Sequence, residues 1–192
     1  MTYQRKAIQR DADFRTRAED GKRYIDGYFA VFGSYYDLWP GAAETIDPGA
    51  FNLIRDTDIR ALTNHVTTLV LGRTTSGTLR LRVDDVGLWG SIEINDEDQD
   101  AVNAWARVTR RDVTQCSFGF DIEDEYRQIE DGVEVWHLRS IRLYEVSICT
   151  FPAYEDTAIT ARKAELDTIN KRKRDVWAAD MLARLKGAHH GT

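Results

Sequence analysis

His65, Ser117 and Glu145 lie far apart in the chain, and together they are the inventory of a base, a nucleophile and an orienting acid. A serine hydroxyl attacks only when a histidine takes its proton. A carboxylate on the other ring nitrogen holds that imidazole in the accepting tautomer. Each of the three sits in a stretch that reads as a β-strand and breaks its apolar logic. In Val113–Phe120 the period of two puts Cys116, Phe118 and Phe120 on one face and Gln115, Ser117 and Gly119 on the other. Cys116 is the competing nucleophile, but among phenylalanines a buried thiol has a raised pKa and is inert. His65 is expected to end a strand from Ile59, sharing a face with Ala61 and Thr63. Glu145 is expected beside Ile141, Leu143 and Cys149, where an unpaired carboxylate is costly and needs either an arginine or the Nδ1–H of His65. The bland alternatives are a hydrogen-bonded strand-end histidine and a serine on a solvated sheet face.

Other chemistries find less support. His137, His189 and His190 form no zinc spacing with His65, so neither metal nor cofactor is expected. Gly72–Gly77 lacks the Gly-Lys-Ser/Thr ending of a phosphate loop. The 192 residues carry 26 Lys+Arg against 32 Asp+Glu, a net charge of −6, which disfavours nucleic acid as the main partner. Two cysteines, Cys116 and Cys149, are too few for a disulfide framework and are read as reduced thiols. No apolar run approaches the roughly 20 residues of a membrane span, and the first residues lack the apolar centre of a signal peptide.

The elements that must position the three residues read as mainly β with a few helices. A first strand is expected over residues 22–33, then a polar loop ending in a helical turn near Ala50–Ile54. The strand to His65 follows, then a ribbon bent at Thr74–Gly77 and a hairpin turn at Asp84–Gly87 into Leu88–Ile94. Apolar residues at helical spacing, acids at the start and arginines at the end predict a helix over Asp96–Arg111, capped by Asn95 or Asp96. Strands resume at Val113–Ile122, Val133–Leu138 and Ile141–Cys149, with a turn at Glu130–Asp131–Gly132. After about residue 160 the chain is charged and sparsely apolar, with Lys171–Arg174 as a basic run.

Taken in order, Gly27–Phe32, Glu44–Phe51, Ala61–His65, Leu71–Thr74, Ser76–Leu81, Asp85–Leu88, Ser117–Phe120, Glu145–Ser147 and Pro152–Tyr154 resemble the prohead (capsid maturation) proteases of tailed bacteriophages. These are serine peptidases distantly related in fold to herpesvirus assemblins. The resemblance spans about residues 22–162. It implies a closed or nearly closed antiparallel β-barrel of assemblin-like type with peripheral helices. The domain expectation is an N-terminal extension over 1–20, a protease domain over 21–162 and a charged C-terminal helical tail over 163–192. It also implies His65 as base, Ser117 as nucleophile and Glu145 as third member. His137 is a weaker candidate for that third place, because the herpesvirus relatives use a second histidine. Oxyanion donors would come from Thr150–Asp156.

The implied activity is serine endopeptidase cleavage of the scaffold-like segment of the major capsid protein, and of the protease itself. The setting would be the assembling procapsid in the host cytoplasm, with self-association open and no membrane or cofactor. The alternative is a non-enzymatic β-rich capsid-assembly module that binds the major capsid protein.

Overall fold

The computed structural model describes residues 4–7, 14–52, 54, 57–151, 168, 171, 172 and 174–176. In chain order the strands are β1 (Gln4–Ala7), β2 (Arg15–Glu19), β3 (Lys22–Val31), β4 (Tyr36–Trp39), β5 (Ala42–Ile46), β6 (Arg60–Thr63), β7 (Val66–Arg73), β8 (Leu79–Val83) and β9 (Gly87–Ile94). Helix α1 (Gln99–Thr109) follows, then the long strands β10 (Gln115–Glu130) and β11 (Val133–Cys149). Residues 1–154 form one compact unit and residues 155–192 another. In the second unit, Thr168, Lys171, Arg172, Arg174, Asp175 and Val176 are helical and exposed.

Turn chemistry decides much of the strand pairing. Asp20–Gly21 and Asp131–Gly132 have positive φ at both residues, 50° and 73°, 48° and 83°. That backbone matches the twist of flanking strands in a two-residue hairpin. They join β2 to β3 and β10 to β11, with Glu19 opposite Lys22 and Glu130 opposite Val133. Pro40–Gly41 closes β4 onto β5, with Trp39 opposite Ala42. Two strands therefore stand where a polar loop is expected over residues 34–49, and β1 and β2 lie within residues 1–20. Past residue 46 the chain makes successive turns, each with an N–H to the carbonyl three residues back, at Ala50, Asn52, Ile54 and Thr57.

The strands form two sheets. One has seven strands in the order β1-β10-β11-β5-β4, with β6 also on β11 and β7 on β6; the other runs β2-β3-β9-β8. No closed barrel is found among the described residues, where the resemblance implies a closed or nearly closed one. Nor is the larger sheet purely antiparallel. β11 carries two parallel partners along its length, β5 beside Glu134–Leu138 and β6 beside Glu145–Ile148. Pairing with β10, which sets Leu138 opposite Glu125 and Ser140 opposite Asp124, carries β11 through Arg139–Ser140, where two separate strands are expected. Its cross-strand register with β10 absorbs the irregularity as bulges.

A single apolar cluster includes Ile25 and Phe29 of β3, Leu88 and Ile92 of β9, Phe118 and Phe120 of β10, and Ile141, Val146 and Ile148 of β11. Phe118 lies 5.1 Å from Phe120 and 6.0 Å from Phe51, centroid to centroid. Helix α1 adds Ala101, Ala104 and Val108 to this cluster. Its N-cap is Asp98, whose Oδ1 accepts from Asp100 N at 2.9 Å and Ala101 N at 3.4 Å. Asn95, an expected cap, instead accepts the Glu97 N–H in a turn that delivers the chain to Asp98. The helix thus starts three residues later than its acidic first turn suggests.

Candidate active site

His65 occupies a turn and not a strand end. β6 and β7 pair through Thr63 and Val66, leaving Asn64–His65 as a two-residue connection with φ of 51° and 58°. Asparagine is favoured in such a backbone; for histidine it costs about 1 kcal/mol. Three bonds hold the turn in place. Asn64 N donates to Ile148 O at 2.9 Å, Thr150 N donates to Asn64 Oδ1 at 2.9 Å, and His65 N donates to Ser147 Oγ at 3.2 Å. Local strain of this kind persists only where the surroundings over-determine it. Here β11 supplies those surroundings.

The same stretch of β11 aims Glu145 at the ring. Between Gly119 and Phe120 the register shifts: Gly119 faces Glu145, whereas Phe120 faces Leu143. Tyr144 is the extra residue, so Leu143 stays with the core and Glu145 turns to the opposite face. The expectation that Glu145 shares a face with Ile141 and Leu143 is corrected by this bulge; Cys149, opposite Gln115, does share it. Glu145 Oε1 lies 2.6 Å from His65 Nδ1, and Ser147 Oγ donates to Glu145 Oε2 at 2.6 Å. Arg60, the register partner of Glu145, binds Asp58 instead. With Nδ1–H donated to the carboxylate, Nε2 is left as the acceptor. His65 and Glu145 are both only 5% exposed at their side chains, so their interaction is little screened.

Ser117 sits on β10 directly opposite Ser147, on the face that carries Gly119 and Gln115. Cross-strand partners hold their Cβ atoms about 5 Å apart. Strand pairing therefore places Ser117 on the sheet face that carries Glu145 and Ser147, the two residues that bond His65. Cys116 points the other way: its Sγ lies 3.4 Å from Tyr28 O, and burial raises its pKa well above the usual thiol value. Both cysteines are buried thiols outside any disulfide.

Two neighbours escape the sequence reading. Ser147 bonds the carboxylate and the His65 backbone at once, and its position two residues after Glu145 on a strand was the available signal. Cys149 Sγ lies 3.9 Å from His65 Nε2, on the nitrogen a nucleophile would use. Of the expected oxyanion segment, Thr150 and Phe151 are described, and residues 152–156 lie outside the described residues. The Thr150 N–H is already donated to Asn64.

His137 stands in a separate cluster. Its Nδ1 lies 2.9 Å from Asp47 Oδ1 and its Nε2 2.7 Å from Glu130 Oε1, while Tyr126 stacks on the ring at 4.4 Å. Two carboxylates on two ring nitrogens suit an imidazolium. Burial pushes the His137 pKa down, but the bonds to Asp47 and Glu130 outweigh it and leave the value raised above 6.5. Tyr35 first and His137 second lower the Glu130 pKa. The stabilisation is therefore full below the unfolded value of about 6.5 and is lost as pH rises through the higher folded value. His137→Gln is expected to cost about 2 kcal/mol near pH 6, from charge-assisted hydrogen bonds. In urea denaturation the gap from wild type should close as the pH is raised; a gap constant to pH 9 or so would show that His137 is not charged.

Among the described residues no group of His, Cys, Asp or Glu side chains could hold a metal ion, and no helix is long and apolar enough to cross a membrane. A family model described as caudovirus prohead serine protease matches residues 10–172. The chain is 28% identical over 172 residues to the prohead protease of Enterobacteria phage HK97, covering 87% of this chain and 72% of that protein. A solved structure of the bacteriophage T4 capsid assembly protease, gp21, superposes with a TM-score of 0.48 at 9% identity, over 78% of this chain and 98% of the other.

Proposed function

We propose that this chain, which belongs to the caudovirus prohead serine protease family, cleaves peptide bonds with Ser117 as nucleophile, His65 as general base and Glu145 as the acid that orients it. The observation that carries the assignment is the 2.6 Å contact of Glu145 with His65 Nδ1, on a sheet face shared with Ser117. As the Ser117 oxygen bonds to the scissile carbonyl carbon, its proton passes to His65 Nε2. The imidazolium, held by Glu145, then protonates the departing amine, and the acyl-enzyme remains. Water enters, gives a proton to the same nitrogen and attacks the ester carbonyl. Collapse releases the new carboxyl group and returns the proton to Ser117. Ser147 keeps the carboxylate in place by donating a hydrogen bond from its hydroxyl to Oε2.

The substrate we assign is the scaffold-like segment of the major capsid protein, cleaved within the procapsid, together with a bond in the protease itself. We place the protease domain over residues 21–162, with β2 built onto its smaller sheet, and a charged tail over 163–192. The helical, exposed Lys171, Arg172 and Arg174 support a solvated tail.

A serine-directed fluorophosphonate is expected to add one label per chain, mapped to Ser117 by peptide mass. Labelling at Cys149, or none in a protease that still processes capsid protein, would remove Ser117 from the mechanism.

A further inference from the structure

Strand β1 lies along the strand that carries the proposed nucleophile. It runs antiparallel to β10 with Gln4 opposite Phe120, Arg5 opposite Gly119, Lys6 opposite Phe118 and Ala7 opposite Ser117. β11 fills the other side of β10. Without β1, the backbone groups of Ser117–Phe120 on this side would form an open sheet edge ending at the reactive serine. Such an edge accepts an extended peptide through main-chain hydrogen bonds. A protease substrate also needs an extended main chain to bring its carbonyl to a nucleophile. One edge pairs with one strand, so β1 and an extended substrate compete for it.

β1 is suited to leave. It has four residues, stands at the end of its sheet and, among the described residues, pairs only with β10. A strand so short, held on one side, is marginal by itself. β11, by contrast, is held on both sides, by β10 on one and by β5 and β6 on the other. We infer that residues Gln4–Ala7 are a removable strap, an occupant in cis of the edge on which the substrate peptide docks, so that displacing β1 exposes the site. The inference rests on Ser117 being the nucleophile. It gives an order of events: β1 leaves β10, an extended segment takes its register, and the carbonyl nearest Ser117 is attacked.

The test compares the full chain with a variant lacking residues 1–7, using a tetrapeptidyl phosphonate ending in alanine as the probe. The probe must pair along β10 to react. Truncation is expected to raise its second-order rate about tenfold, the factor for an edge that is open roughly a tenth of the time in the full chain. A synthetic peptide of residues 1–7 should slow the truncated protein competitively. A strand needed only for folding gives the opposite pattern, a slower truncated protein that the peptide restores, and that overturns the strap. If truncation prevents folding, Lys6→Pro in the full chain removes a main-chain donor from β1. It should raise the rate several-fold, and an unchanged rate overturns the strap. Probe labelling that survives Ser117→Ala would defeat the nucleophile assignment and the strap with it. Labelling lost in Ser117→Ala, with no gain on truncation, would defeat the strap alone.

Discussion

Ser117→Ala is expected to lower kcat for capsid-protein cleavage by about a million-fold, the scale found when a triad nucleophile is removed. The substitution deletes one hydroxyl from a fully buried residue in the middle of a sheet. β10 keeps its pairing with β11, so thermal unfolding should shift little while activity collapses. Rates measured on co-assembled capsid protein should retain only the contribution of substrate binding and backbone donors. The rival is Cys149, whose sulfur already faces His65 Nε2 at 3.9 Å. Thiolates are stronger nucleophiles than hydroxyls, so proximity alone does not choose between them. Cys149→Ala is therefore the paired measurement, expected to change kcat less than tenfold. An active Ser117→Ala beside an inactive Cys149→Ala would reverse the assignment and make this a cysteine peptidase on the same imidazole.

The legible parts of the chain were those where local chemistry agrees with the tertiary outcome. Alternation in Gln115–Phe120 separates Ser117 from Cys116 correctly because β10 is regular there, with a one-to-one register to β11 from Gln115 to Gly119. Asp131–Gly132 marks its hairpin as a two-residue turn should. Asp20–Gly21 carried the same signal for β2, and Pro40–Gly41 carried a turn signal for β4 and β5. The first is masked by the polarity of β2, Arg-Thr-Arg-Ala-Glu, and the second by the shortness of β4, four residues within a Gly- and Pro-bearing passage. Edge strands need few apolar residues, and β2 and β4 each end a sheet.

The site itself was harder to place for two reasons. Asn64–His65 puts histidine where glycine usually closes such a turn, so the segment reads as a strand running on to His65. The bulge at Tyr144 reverses the facing of Glu145, and nothing local in Leu143–Tyr144–Glu145 announces a bulge. Candidate residues were thus recoverable from type and context, whereas their meeting depends on β11 receiving β6 in parallel. That is a long-range pairing, and no periodicity within either segment encodes it.

Glu145→Gln separates the two candidates for third member. Glutamine matches glutamate in shape, but its amide can present N–H to His65 Nδ1. The ring then favours the tautomer with its proton on Nε2, which cannot accept from Ser117. For the equivalent change in a serine protease triad the loss in kcat is about 10⁴-fold with geometry intact, and the same scale is expected here. Ser147→Ala should cost less, about tenfold, because the carboxylate keeps its charge and its bond to the ring while losing one constraint. His137→Gln should leave kcat within a few-fold, since both nitrogens of that ring are committed to Asp47 and Glu130. Measured together, the three variants distinguish a positioning carboxylate from a distant stabilising cation. A 10⁴-fold loss in His137→Gln with a nearly normal Glu145→Gln would transfer the role to the second histidine. It would also require the Asp47–His137–Glu130 cluster to open in the active state, which the pH dependence of stability would then register as a lost His137 contribution.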